Sequence, residues 1–223
     1  MTYESLAART GIPLPPTFAR LIADGKTRYG ENLDDWKANW SDYTLRAQPL
    51  LSCAYDLEWI GPEQAEEIAE AWLNPGFQHA RAFVPFAISG AGDAYCLMTT
   101  AAGTIAVALV WHDRDDSAIE TASFEHFVFT KLVESAADFE HLLDDFSPAQ
   151  ARECVLANMR AAAAYLPANL NHALAALISS QLPDDESDSA MISQVTAQAA
   201  FGVLPAFAQE RFAVVPRWHC NER

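Results

Sequence analysis

The sequence predicts an α+β protein in which a small antiparallel β-sheet packs with helices and a helical extension follows at the C-terminus. Of the 223 residues, 51% are hydrophobic, which is enough to bury a sizeable core. Apolar residues recur at helical spacing in both the N-terminal and the C-terminal parts. Between them, residues 80–112 form three short apolar runs joined by glycine-containing turns. Connections this short join antiparallel neighbours, so the runs predict adjacent strands of one sheet.

Three helices are predicted before the sheet. The first, LPPTFARLIADG, has Pro15 and Pro16 at its start and Gly25 after its end. The second, ENLDDWKANW, has one leucine and two tryptophans at spacings of three and four. The third, GPEQAEEIAEAWLNPG, has Pro62 at its first helical position, and the segment Asn-Pro-Gly stops it.

The predicted strands are ARAFVPFAIS, AYCLMTT and TIAVALVWH. The first connection contains Gly90-Ala91-Gly92-Asp93, which could be a hairpin turn or a phosphate-binding loop. A phosphate-binding loop runs from a strand into a helix, whereas here a strand follows, so a turn is favoured. Asp93 is then expected to hydrogen-bond the turn or to offer a charge at the rim of a binding face.

After the strands, an acidic loop and a helix from about Ser123 are predicted. The C-terminal part predicts two helices after Ser147, separated near Leu166 and Pro167, then an acidic linker, PDDESDS, and a last helix that ends near Pro205. These patterns predict a domain over residues 1–145 and a helical extension over residues 146–223 that packs on the same core.

Charge is the strongest compositional signal, because 30 acidic and 14 basic residues give a formal net charge of -16. Such a field repels nucleic acid and anionic membranes and speeds association with a basic protein partner. Solubility alone would also explain it. No apolar run reaches the roughly 18 residues of a membrane span, and no signal-peptide pattern opens the chain, so we expect a cytoplasmic protein that does not bind membranes.

Cysteines and histidines show no metal-binding pattern. The four cysteines lie far apart without C-x-x-C spacing, and the six histidines are scattered, so we expect free buried thiols, no metal and no cofactor. His112 and Asp113, with Asp115 and Asp116, form the sharpest constellation, but a metal-dependent phosphohydrolase needs further ligands from surrounding helices. A solvated acidic loop is therefore favoured, and no catalytic residue is assigned.

Four segments, taken in order, resemble the SMI1/KNR4-like family, also called the SUKH superfamily. They are IPLPPTFARLIADG, FVPFAISGAGDAYCLMTT, TIAVALVWHDRDD and SFEHFVFTKL, and the resemblance covers roughly residues 10 to 145. The order and spacing of these motifs carry the resemblance. The chain departs from the family at Met98, because the family often has an aspartate after the cysteine–leucine pair.

The resemblance implies a compact α+β domain that binds a protein and has no shared catalytic residues. Many bacterial members are immunity proteins that neutralise a toxin, often a nuclease, and fungal members are signalling scaffolds. We therefore expect an immunity-type protein that binds a basic toxin domain through its acidic surface, with Asp93, Asp113, Asp115 and Asp116 as partner-binding residues. The alternatives are a housekeeping scaffold of the same fold and a small metal-dependent hydrolase that uses His112 and Asp113.

Overall fold

The computed structural model describes residues 1–180 and 189–220. These residues form nine α-helices and a six-stranded antiparallel sheet, which confirms the predicted α+β class. The helices are α1 Tyr3–Thr10, α2 Pro16–Ala23, α3 Leu33–Leu45, α4 Pro62–Ala71, α5 Phe124–Ala137, α6 Pro148–Ala163, α7 Ala168–Ser179, α8 Gln194–Phe201 and α9 Arg217–Cys220, with a 3-10 helix at Glu140–Asp144. The strands are β1 Glu58–Trp59, β2 Val84–Ile88, β3 Ala94–Thr99, β4 Ile105–Val110, β5 Asp116–Thr121 and β6 Arg211–Ala213.

The strands follow one another in the sheet in sequence order, so each connection joins antiparallel neighbours. The three predicted strands correspond to β2, β3 and β4, and the β3–β4 pairing runs from Ala94 opposite Val110 to Thr99 opposite Ile105. The acidic segment after β4 was interpreted as a loop, which is wrong from Asp116 onward because β5 begins there. Strand β6 was also not predicted; it lies within the helical extension predicted for residues 146–223, after the end of its last predicted helix.

Both faces of the sheet are covered. One face has an aromatic cluster in which Phe86 packs against Phe18, Trp59, Phe124 and Phe127 at centroid distances of 5.4 to 5.8 Å. The other face contributes to a second buried cluster, formed by Trp72, Leu73, Phe83, Ala94, Cys96, Met98, Ala106, Ala108, Val110, Ile119, Phe212, Val214 and Cys220. Position 98, at which the chain departs from the family pattern, is therefore a core position in this sheet.

Local sequence explains where several helices begin. Thr2 caps α1 and Ser147 caps α6, each with a reciprocal side-chain bond three residues on. Asn32 accepts backbone N–H bonds from Asp34 and Asp35 at the start of α3. Ser123 accepts the N–H of His126 at 3.2 Å, which confirms the predicted cap of α5. These bonds satisfy backbone donors that have no partner within the helix.

The chain divides into two compact units. Unit 1 comprises Met1–Ala19, Asp56–Phe127 and Phe207–Arg223 and contains the whole sheet, while unit 2 comprises Arg20–Tyr55 and Val128–Ala206 and is helical in its described residues. The predicted boundary between residues 145 and 146 falls inside unit 2. The division into a domain over residues 1–145 and a helical extension over residues 146–223 that packs on the same core stays a prediction.

Unit 2 contains a buried polar chain among its apolar side chains. Asn158 is fully buried and donates to the Ser52 hydroxyl at 3.0 Å and to the Cys154 carbonyl at 2.9 Å. Ser52 and the Cys154 thiol both donate to the carbonyl of Thr44. Leu170, Leu174 and Leu177 of α7 are buried, as the helical periodicity predicted.

Two further sequence-based expectations concern the acidic linker and membrane-spanning segments. The predicted acidic linker PDDESDS occupies residues 183–189, and all but its last residue lie outside the described residues. Within residues 1–180 and 189–220, no helix combines the length and the apolar character needed to cross a membrane.

Candidate functional site

The four predicted partner-binding residues lie at one end of the sheet in unit 1. Strand β3 begins at Ala94, directly after Asp93, and β4 ends at Val110, the residue paired with Ala94. Strand β5 then begins at the same end, so the β4–β5 connection places its acidic residues there. We call this region the Asp93 end of the sheet and define it by Asp93, His112, Asp113, Asp115 and Asp116.

The turn between β2 and β3 is the predicted hairpin. The Ser89 N–H donates to the Asp93 carbonyl at 2.9 Å, and the Gly92 N–H donates to the Ser89 carbonyl at 2.9 Å. Gly92 has φ of +94°, a conformation that favours glycine. Asp56 accepts the N–H of Gly90 and ties this turn to the segment before β1. The main chain of Asp93 therefore closes the turn and leaves its carboxylate for another contact.

That contact is His112, just beyond β4. The Asp93 Oδ1 atom accepts the backbone N–H of His112 at 3.0 Å and lies 2.7 Å from Nδ1 of the same ring. An ionised carboxylate only accepts, so this contact assigns a ring proton to Nδ1, and in the neutral imidazole Nε2 is then the unprotonated nitrogen. The side chains are 28% exposed for His112 and 15% exposed for Asp93. The pair fixes the orientation and the tautomer of the imidazole.

The acidic residues of the β4–β5 connection are not equivalent. Asp116 accepts from Arg211 of β6, through Nε at 2.7 Å and through a terminal guanidinium nitrogen. Asp113 is exposed and lies 4.0 Å from the Arg114 guanidinium. Asp115 is exposed, and within the described part of the chain it makes no ion pair. Asp113 and Asp115 are therefore the carboxylates most open to a partner.

The C-terminal segment completes this end of the sheet. The backbone N–H of Val214 donates to the Asp115 carbonyl, and that of Arg217 donates to the His112 carbonyl, both at 2.9 Å. Gln78 is fully buried and holds Val215 on both sides, donating to its carbonyl and accepting its N–H. Helix α9 consequently lies beside His112.

Aromatic and guanidinium groups surround the acidic residues. Trp218 of α9 is 48% exposed, and its ring centroid lies 6.3 Å from that of His112. The Arg114 and Arg211 guanidinium carbons lie 4.4 and 5.6 Å from the ring centroid of Trp111. Tryptophan and arginine are the residue types that dominate binding energy in protein interfaces. The Asp93 end of the sheet thus combines open carboxylates with an exposed aromatic surface.

One group of side chains here has the composition of a metal site. A donor atom from each of Asp93, His112 and Asp113 lies within 4.8 Å of the others. Among the described residues this is the one such group of three or more histidine, cysteine and carboxylate side chains. No metal was expected from the sequence, because the cysteines and histidines are scattered along it and His112–Asp113 lacks further ligands from helices; the contact of His112 with Asp93 was not foreseen.

A pocket of about 310 Å³ lies elsewhere in unit 1, between α1, α4 and the start of β2. Its lining is mostly apolar and includes Leu6, Ala69, Leu73 and Phe83, with Arg9 among its polar residues. Arg9 donates to Glu66 at 2.6 Å and to Glu70 at 3.3 Å, so its charge is balanced within the protein. None of the predicted site residues lines this pocket.

The cysteines do not resemble catalytic nucleophiles. All four are free and buried. Burial raises the pKa of Cys96, in the middle of β3, well above its ordinary value, and burial also raises the pKa of Cys154, to about 11. A reactive cysteine needs a stabilised thiolate, and these environments favour the thiol.

Sequence reasoning missed the Asp93–His112 contact and the contribution of Trp218. The Asp93–His112 contact could have been predicted from the sequence. A turn centred on the TAAGT segment pairs Ala94 with Val110, so residues 93 and 112 lie just beyond that pair. The contribution of Trp218 had no local signal, since it depends on how the last described residues return to the sheet.

No family model, curated protein or solved structure matches the chain. The resemblance to the SMI1/KNR4-like family therefore stays a prediction.

Proposed function

We propose that the protein is a protein-binding module that docks a basic partner at the Asp93 end of the sheet. The observation that carries this proposal is the proximity of open carboxylates to exposed tryptophan and arginine side chains. Trp218 offers a large apolar contact surface, and Asp113 and Asp115 offer charges that a basic partner can pair. The net charge of -16 supports fast association with such a partner.

Within that class, we favour an immunity-type protein that neutralises a basic toxin domain such as a nuclease. The support is the resemblance of four ordered segments to the SMI1/KNR4-like family together with the acidic composition. A nuclease has a basic cleft for nucleic acid, and an acidic protein that occupies this cleft blocks the substrate. A housekeeping scaffold of the same fold would bind a partner that does not need to be neutralised.

Affinity capture from an extract of the source cells tests the binding proposal. The wild type is compared with Asp113→Asn/Asp115→Asn/Trp218→Ala and with Asp42→Asn/Asp144→Asn, which removes two exposed acids from unit 2 instead. We expect a basic protein that is retained by the wild type and the control, lost with the triple variant, and weakened between about 0.1 M and about 1 M salt. Equal retention by the triple variant would overturn the proposed docking surface.

Co-expression of the captured partner distinguishes the two kinds of binding module. An immunity-type function predicts that the partner inhibits growth when expressed alone and is tolerated together with this chain. The triple variant should fail to protect, because the loss of affinity and the loss of protection have the same cause. A captured partner that is harmless when expressed alone supports the scaffold alternative.

A further inference from the structure

The side chains of Asp93, His112 and Asp113 are three metal-ligating groups at the Asp93 end of the sheet, one from the β2–β3 turn and two from the β4–β5 connection. Asp93 lies before β3, His112 lies after β4, and Asp113 opens the acidic connection. One donor atom of each lies within 4.8 Å of the others. The backbone bond from His112 to Asp93 and the hairpin between β3 and β4 hold the first two in place.

We propose that these three residues bind a divalent transition-metal ion of the Zn²⁺ class. One imidazole with two carboxylates favours Zn²⁺ or Co²⁺ over Mg²⁺ and Ca²⁺, which prefer oxygen ligands alone. Three protein ligands leave a fourth position open for water or for a group from a bound molecule. The proposal does not depend on the protein-binding function.

The present geometry needs only a small change to hold such an ion. His112 Nδ1 and Asp93 Oδ1 are 2.7 Å apart, and we assign the proton of this hydrogen bond to Nδ1. Two ligands of one tetrahedral zinc ion are about 3.4 Å apart, given metal–ligand distances near 2.1 Å. The metal takes the place of that proton, and the ring proton moves to Nε2, so the imidazole stays neutral. The exposed Asp113 side chain then turns inward as the third ligand.

Asp93 and His112 each have a second polar atom that is not used in the contact between them. Within the described part of the chain, the Asp93 Oδ2 and His112 Nε2 atoms make no hydrogen bond. Neither atom is completely buried. Neither atom is committed to another group, and the partly exposed side chains leave the pair open to an ion. Asp115 belongs to the same connection but not to the three-residue group, which makes it a matched control.

The test is calorimetric titration of the full chain with Zn²⁺, repeated with Co²⁺ so that visible absorption reports the coordination geometry. We expect one saturable site per chain with the absorption of tetrahedral Co²⁺. Asp113→Asn and His112→Gln should each weaken binding at least about tenfold. Asp115→Asn and His172→Gln should bind as the wild type does, since both residues are exposed and lie outside the group.

Asp113→Asn is the decisive variant because the Asp113 side chain is half exposed, so the substitution should leave the fold intact. A thermal unfolding midpoint in EDTA equal to that of the wild type verifies this. Absence of saturable binding would overturn the proposal, as would binding by Asp113→Asn and His112→Gln with wild-type affinity. Retention of the metal by Trp218→Ala would support the proposal even if partner capture is lost, because Trp218 is not one of the three ligands.

Discussion

Asp93 and His112 are separated by 19 positions in the sequence, yet Oδ1 of the first lies 2.7 Å from Nδ1 of the second. The same oxygen accepts the backbone N–H of His112 at 3.0 Å. One carboxylate thus joins the β2–β3 turn to the end of β4. The contact also fixes the orientation of the His112 ring.

Asp93→Ala is expected to lower the free energy of unfolding by about 1–3 kcal/mol, because it leaves a backbone N–H and a ring N–H without their acceptor. Urea unfolding in EDTA measures the change. Asp115→Asn removes a charge from the same end of the sheet without a hydrogen-bond network and should change the free energy by less than about 0.5 kcal/mol. Equal effects of the two variants would show that the Asp93–His112 contact contributes no stability.

The four cysteines should be protected from thiol reagents in the folded protein. All are buried, and burial raises the pKa of Cys53 and Cys96 above the ordinary value and that of Cys154 to about 11. At pH 8, a disulfide reagent should label the native chain slowly and label four thiols once denaturant is added. Rapid labelling of any thiol in the native chain would contradict this assignment, since the thiolate is the reacting form.

The stability of the protein should depend on His141 below neutral pH. Burial lowers the pKa of His141, against an opposing hydrogen bond to the Cys53 backbone, and its Nε2 atom is buried without a described partner. The unfolded chain then binds a proton near pH 6.5, while the folded chain does so only at lower pH. The contribution of this residue is complete above about pH 6.5 and is lost as the pH falls below it.

His141→Gln should therefore make the free energy of unfolding less dependent on pH between about 7 and about 5. The wild type and the variant are unfolded with urea at several pH values, and the slopes are compared. His126, whose pKa is also lowered by burial, provides a second site, so adding His126→Gln should flatten the dependence further. Parallel slopes for the wild type and both variants would rule out these histidines as the cause.

Elements with a local signal could be predicted from the sequence. The turn at Gly92 needs a positive φ, and the cap at Ser147 needs a side-chain acceptor, so each residue type indicates its structure directly. The continuous apolar runs of β2, β3 and β4 reflect burial of the sheet on both faces. The turn and the cap depend on neighbours within a few residues, and the apolar runs are legible in the sequence before their partners are known.

Elements defined by distant partners could not be predicted in this way. Strand β6 has three residues and exists because Phe212 pairs with Ser117, about a hundred positions earlier. Strand β5 begins with an aspartate in an acidic segment, and its pairing with Arg211 depends on that same return of the chain. The candidate site shares this dependence, since Trp218 reaches His112 only after β6 has joined the sheet.

Phe124 connects the predicted start of α5 to the aromatic cluster on one face of the sheet. It is almost fully buried, and its ring lies 5.0 Å from Phe18 and 5.4 Å from Phe86. Phe124→Ala should lower the free energy of unfolding by about 3–5 kcal/mol, because it removes buried area and leaves a cavity. Val195→Ala, at a side chain that is 81% exposed, should change it by less than about 0.5 kcal/mol. If Phe124→Ala does not fold, Phe124→Leu should still unfold at a lower urea concentration than the wild type; an unchanged midpoint would show that packing of Phe124 in this cluster does not stabilise the fold.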